Sequence, residues 1–169
     1  MYLKWDQVLD NMPLFFSQQF INWQWQPSDL INNHPGIIEW TSELANVAKP
    51  LHYEIGQTSL PNFNADVIYT ANTFHIVSKE LVEKFILEIG QWVQPDTWLI
   101  IYGPFNYEGR FTSESNEKFN KFLIETYPGG GIKHFEDILK MLTQQNFKLI
   151  EDADMPANNR CLVLRKSSQ

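Results

Sequence analysis

The chain has 169 residues, 43% of them hydrophobic and 20% charged, with a formal net charge of −7. That is the size and balance of one soluble globular domain, and the acidic excess argues against a broad electrostatic grip on nucleic acid. A single cysteine, Cys161, excludes an internal disulfide and leaves no cysteine-based zinc site.

In chain order, Val8, Leu9, Met12, Phe15, Phe16 and Phe20 recur at helical spacing between Gln7 and Phe20. Pro13 fits the first turn of the helix that carries Phe15, Phe16 and Phe20 better than a helix interior. Asn22 to Gln26, with Trp23 and Trp25 on one face, reads as a strand closed by Pro27-Ser28-Asp29. Asn33 and Pro35 then offer a cap and first turn for a helix through about Ala48. Leu51–Ile55 and the β-branched, aromatic run Asp66–Thr70 read as the next strands. Ser78 caps an amphipathic helix whose stripe is Leu81, Val82, Phe85, Ile86 and Ile89. Thr97–Tyr102 is a continuous apolar run, which predicts a strand buried on both faces.

Gly103-Pro104 stops that strand. Ser113–Thr126 reads as a helix with Phe119, Phe122 and Leu123 turned inward, Gly129-Gly130-Gly131 as a flexible loop, and Lys133–Gln145 as a further helix. Phe147–Glu151 and Cys161–Arg165 close the chain as two strands joined by the polar link Asp152–Arg160. Alternating strands and helices predict one α/β domain over residues 1–169, with a mostly parallel sheet and an antiparallel strand at one edge. Cys161 lies in the apolar run Cys161–Leu164 and reads as a small buried hydrophobe.

In open α/β sheets ligands gather where strands end. Asp29 stands after the Trp-rich segment, either as an acid for ribose hydroxyls or as a turn and capping residue. Asn72 and His75 follow the Asp66–Thr70 strand, and both can line a cleft. His75 can also move a proton there, or it can be a satisfied loop histidine. Tyr102-Gly103-Pro104-Phe105 forms a sharp turn after the apolar strand. Asn158, Asn159 and Arg160 form a polar cluster, in which Arg160 grips a carboxylate or phosphate or pairs with Asp152 or Asp154. No Gly-x-Gly-x-x-Gly, Walker loop or Gly-x-Ser-x-Gly elbow occurs, and the four histidines lack metal-ligand spacing, so no metal site is expected.

Trp25–Asp29, Ala71-Asn72 with His75-Ile76, Tyr102–Phe105, Phe111–Asn116 and Met155–Arg160 together resemble signatures of a small, poorly characterised family. These are the S-adenosylmethionine (SAM)-dependent methyltransferase-like proteins typified by methyltransferase-like protein twenty-six. The resemblance covers residues 14–166 and implies a Rossmann-like class I methyltransferase fold, with strand order 3-2-1-4-5-7-6 and strand seven antiparallel. It implies SAM as cofactor, held by Asp29 at the ribose, Glu54 near the adenine and Asn72 beside the methyl donor. His75 and Asn72 become the catalytic candidates. Tyr102, Gly103, Pro104, Phe105, Asn158, Asn159 and Arg160 frame the substrate cleft. The family begins with a strand and a glycine-rich loop. Here no glycine precedes Gly36, and Val8-Leu9-Asp10 is the nearest trace of the strand end. The first strand and loop are therefore expected to be missing, with cofactor binding weakened.

Three readings follow. The chain is a methyltransferase-like enzyme acting on a small or polar molecule, a non-catalytic binding or dimerisation module, or a truncated gene product. A homodimer is expected if a sheet lacking its central strand must be repaired across two chains. With no ~20-residue apolar run and no signal-like N-terminus, a cytoplasmic protein with no membrane or nucleic-acid partner is expected.

Overall fold

The computed structural model describes residues 2–4 along the backbone, 17–60 and 64–168. The first strand is present. β1 (Tyr2–Lys4) lies at the centre of a seven-stranded sheet, parallel to β2 (Pro27–Asp29) on one side and β4 (Val67–Ala71) on the other. The sequence expectation failed because three residues are too few to register as a strand when periodicity is the only signal. What defines them is pairing, with Leu3 opposite both Ser28 and Thr70. The trace at Val8–Asp10 and most of the helix expected over Gln7–Phe20 lie outside the described residues. Residues 17–19 are helical.

With β3 (Leu51–His52), β5 (Trp98–Gly103), β8 (Phe147–Met155) and β9 (Asn159–Lys166), the sheet order is β3-β2-β1-β4-β5-β9-β8. β9 runs antiparallel to both β5 and β8. This is the order and strand sense that the resemblance implied.

The elements follow local chemistry with shifted boundaries. Trp25 forms only an isolated bridge to Val47, and the strand starts at Pro27, which can open a strand because its missing N–H is not needed there. Trp23 and Trp25 do share a side, but they stack at 5.8 Å as part of an aromatic group that includes Phe20. Helix α1 (His34–Thr41) carries Pro35 in its first turn as expected and ends well before Ala48. The chain turns there because Val47 must return to Trp25, and Asn46 Nδ2 supports the turn by donating to the Ser17 and Trp23 carbonyls at 3.0 and 3.2 Å.

Helix α2 (Lys79–Trp92) starts where expected. The Ser78 hydroxyl accepts the Leu81 N–H, and Val82, Phe85, Ile86 and Ile89 are buried. They pack with Ile138 and Leu142 of α4 (Phe135–Gln144) onto Ile68, Leu99, Ile101, Leu162 and Leu164. β5 is not buried on both faces. Leu99 and Ile101 face this core, while Ile100 and Tyr102 are half-buried beside Tyr69 and Ala71 on the other face. The run is continuously apolar, yet its surroundings alternate with the two-residue period of a strand.

The polar link Asp152–Arg160 is mostly strand. β8 and β9 extend into it and meet at a tight turn over Pro156–Asn158, where Ala157 and Asn158 take left-handed φ of 59° and 58°. Arg160 holds the extension, pairing in register with Asp154 and donating from Nε to Asp152 Oδ1 at 2.7 Å. A short second sheet joins β6 (Phe105–Asn106) to β7 (Lys133–His134), so the residues expected to begin a helix at Lys133 are strand.

Candidate active site

The strand order reverses about β1, with β2 and β3 to one side and β4 and β5 to the other, so the carboxyl ends of β2 and β4 flank a topological switch point. Asp29 is the last residue of β2 and is 3% exposed. Its Oδ1 accepts the Leu30 N–H at 2.7 Å and Asn33 Nδ2 at 2.8 Å. Asp29 thus organises its own turn, the capping role, from the carboxyl end of β2. The Tyr53 N–H donates to the Asp29 carbonyl at 3.0 Å, which brings half-buried Glu54 to the same strand end. The Tyr53 hydroxyl donates to Glu88 at 2.6 Å, and burial first, then Glu88, pushes that phenol well above its ordinary range.

Asn72 follows β4 in a left-handed conformation, φ 55°, with its N–H on the Tyr102 carbonyl at 2.9 Å. Asparagine tolerates that conformation better than most residues. His75 is 5% exposed and sets its ring edge-on to Phe119 at 5.5 Å. Gly103 stands against it, since a Cβ there would lie 3.5 Å from His75 Nδ1.

Asn72 and His75 open into a cleft of about 620 Å³. Of the expected cleft residues, Pro104, Asn158 and Asn159 line it. Tyr102 and Gly103 are not among the lining residues, although the Tyr102 hydroxyl supports the cleft indirectly by accepting Asn159 Nδ2 at 3.2 Å. Phe105 does not line it, being 1% exposed in the core. Arg160 is also not among the lining residues. Its guanidinium is committed to Asp152 and Asp154 and lies 5.4 Å from the Tyr107 ring centroid. Cys161, half-buried on β9, has its thiol pushed up by burial first and then by Glu151 and Asp152, which disfavours the nucleophilic thiolate.

The far wall of the cleft is helix α3 (Glu114–Thr126), capped by Ser113 accepting the Asn116 N–H. Sequence reasoning assigned Phe119 and Phe122 to the core, but they are 37% and 53% exposed and line the cleft. One signal was available. Asn116 and Asn120 interrupt the apolar stripe that ends in Leu123, so this face of the helix is not purely core. Asn116, itself 5% exposed, ties α3 to the β8–β9 turn through the Asn158 carbonyl at 3.1 Å.

The triple glycine is a packed strap rather than a flexible loop. Gly129 has φ 77°, and a Cβ there would meet the Ser78 Cβ at 2.6 Å. Gly131 donates its N–H to the His75 carbonyl at 2.9 Å. Lys133, 9% exposed, ties the strap to the start of α2 by donating to the Gly131 and Val77 carbonyls, each at 2.8 Å. Burial pushes its ammonium down to about 8.

Among the described residues no cluster of three or more His, Cys, Asp and Glu is placed to hold a metal, and no helix is long and apolar enough to cross a membrane. The family described as "Protein of unknown function (DUF938)" matches residues 11–166. Among solved structures, the chain is similar to an O-methyltransferase family 2 protein from Planctomyces limnophilus in complex with apigenin. The TM-score is 0.84 at 11% identity, covering 98% of this chain and 49% of that one. It is similar to PigF with S-adenosylhomocysteine (SAH; TM-score 0.82, 11% identity, 98% and 50%). A third likeness is to human N-acetylserotonin methyltransferase in complex with SAM (TM-score 0.80, 12% identity, 99% and 47%). The fold is thus that of the class I SAM methyltransferases, and the chain spans about half the length of these solved proteins.

Proposed function

Taking as premise that the chain belongs to the DUF938 family, we propose that it is a SAM-dependent methyltransferase acting on a small molecule, of the methyltransferase-like protein twenty-six type. The observation that carries this reading is the convergence of strand ends. Asp29 ends β2, and Asn72 with His75 follows β4, so all three stand about the switch point, with Asn72 and His75 opening into one cleft. The donor set fits the cofactor. A buried carboxylate already held by its own turn suits ribose hydroxyls, Glu54 stands beside it for the adenine, and Asn72 lies on the cleft side. When bound, SAM supplies an electrophilic methyl group.

The chain's own residues do the rest. Asn72 and His75 orient the acceptor, and a His75 ring nitrogen takes the proton that an acceptor hydroxyl or amine releases. The Gly129–Gly131 strap and Lys133 hold the His75 backbone, and α3 keeps water from one side. The residues before Gly36 include no glycine, and a modest cofactor affinity is the reading this composition supports. The same absence favours a second reading, a non-catalytic binding module that has kept the fold.

Isothermal titration of the full chain with SAM and with SAH separates the two. The methyltransferase reading expects saturable heat in the micromolar range. Asp29→Asn, which keeps an acceptor for Leu30 and Asn33 but loses the charge, should weaken SAM about tenfold or more. No heat at high-micromolar ligand sinks it and leaves the non-catalytic module.

A further inference from the structure

The cleft has an unusual lining for an enzyme of polar substrates. Phe119 and Phe122 present two large apolar rings to it, 37% and 53% exposed. Their centroids lie 6.2 Å apart and their planes are within 16° of parallel, so the two rings are stacked as a pair. The His75 ring meets Phe119 edge-on at 63°. The same cleft is lined by amides of Asn158 and Asn159. Asn158 Nδ2 is spent on Ser115, and Asn159 Nδ2 on Tyr102 and Pro156, while the Oδ1 acceptors of both accept no hydrogen bond among the described residues. No Lys, Arg, Asp or Glu occurs among the described residues that line the cleft, and Arg160, the nearest cation in sequence, is committed to Asp152 and Asp154.

Each feature selects. Exposed phenyl rings favour a ligand that removes them from water. A stacked pair of rings favours a flat aromatic partner that continues the stack, because aromatic rings gain from each other beyond simple burial. A cleft whose described lining carries no fixed charge disfavours an ionised ligand, which would lose hydration with no counter-charge from those residues. Amide oxygens ask for a donor.

We propose that this cleft takes an uncharged, planar aromatic compound, its ring packed against the Phe119–Phe122 pair and its hydroxyl or amine edge donating to the asparagines. This names the acceptor class for the methyltransferase reading and rests on it for the cleft's role. The cofactor titration above stands apart from the test.

The test is titration of the full chain, with and without saturating SAH, with naphthol, its anionic analogue naphthoate and its saturated analogue decahydronaphthol. Naphthol should bind, and each analogue should bind at least about tenfold more weakly. Phe122→Ala should weaken naphthol about tenfold with an unchanged circular dichroism spectrum, since the side chain is more than half exposed. Phe122→Leu, which keeps apolar area and loses the ring, should not restore it. Equal binding of decahydronaphthol, preference for naphthoate, an unaffected Phe122→Ala, or no binding of any probe would each overturn the assignment. SAM binding without naphthol binding sinks this inference alone. Naphthol binding without SAM binding sinks methyl transfer and leaves the aromatic site standing.

Discussion

At the scale of single residues, Lys133 shows how burial turns an ordinary side chain into a structural clasp. Its ammonium donates to two carbonyls, one on the glycine strap and one at the start of α2. Desolvation pushes its pKa down to about 8 from 10.5, against a smaller upward pull from Glu80. Below pH 8 both the folded and unfolded chains carry the proton, and the cost of burying the charge is present in full. Between pH 8 and 10.5 the unfolded chain still holds a proton that the folded chain has released, so stability rises with pH across that window. The gain is on the order of 3 kcal/mol. Urea unfolding of the native chain and of Lys133→Met at several pH values should show the native chain gaining on the variant from pH 8 to 10.5. Parallel profiles would refute the assignment. Nothing in the sequence distinguishes Lys133 from the exposed lysines, because its burial comes from β6 pairing beside it.

At the scale of elements, the contact between the glycine strap and α2 was illegible in sequence for a related reason. Three successive glycines read as freedom, yet Gly129 is glycine because Ser78, the α2 cap, occupies the space of its Cβ. Gly129→Ala combines a left-handed φ with a steric overlap and should cost about 2 kcal/mol or more. Ser78→Gly removes the opposing Cβ and loses little of the cap. The double variant should therefore be more stable than the sum of the two single losses, by about 0.5 kcal/mol or more in denaturant titrations, and strict additivity would show that the two positions do not touch. Helix α2 itself was readable almost to the residue, because its cap, stripe and length all agree. Helix α3 was readable as a helix but not in its orientation, since Phe119 and Phe122 look like core in any one-dimensional pattern and line a cleft only once the β8–β9 turn docks on the start of the helix.

At the scale of the whole molecule, β1 decides the architecture. The homodimer expectation rested on an empty sheet centre, and Tyr2–Lys4 fills that centre within the same chain. β1 joins the two halves of the parallel sheet by pairing with β2 and β4, and so sets the switch point on which the proposed cofactor site depends. Proline is essentially excluded from central strands, where it removes a ladder hydrogen bond. Leu3→Pro should therefore destabilise the chain by about 3 kcal/mol or more and weaken SAM binding with it. Thermal unfolding and cofactor titration of that variant check both. A native-like melting temperature would mean that the sheet closes without β1.

The fold class, the antiparallel closing pair, the capped helix α2 and the clustering of Asp29, Asn72 and His75 at strand ends were determined by the sequence itself. They rest on local periodicity, capping chemistry and side-chain type, which act over a few residues. The tertiary structure alone decided the presence of a three-residue central strand, the turning of Arg160 to Asp152 and Asp154, the burial of Phe105 and Lys133, and the exposure of Phe119 and Phe122 to a cleft. Each of these depends on which distant segment lies alongside. Pairing, burial and cavity shape are properties of neighbours in space, and a linear pattern carries them only when the neighbour is also close in the chain.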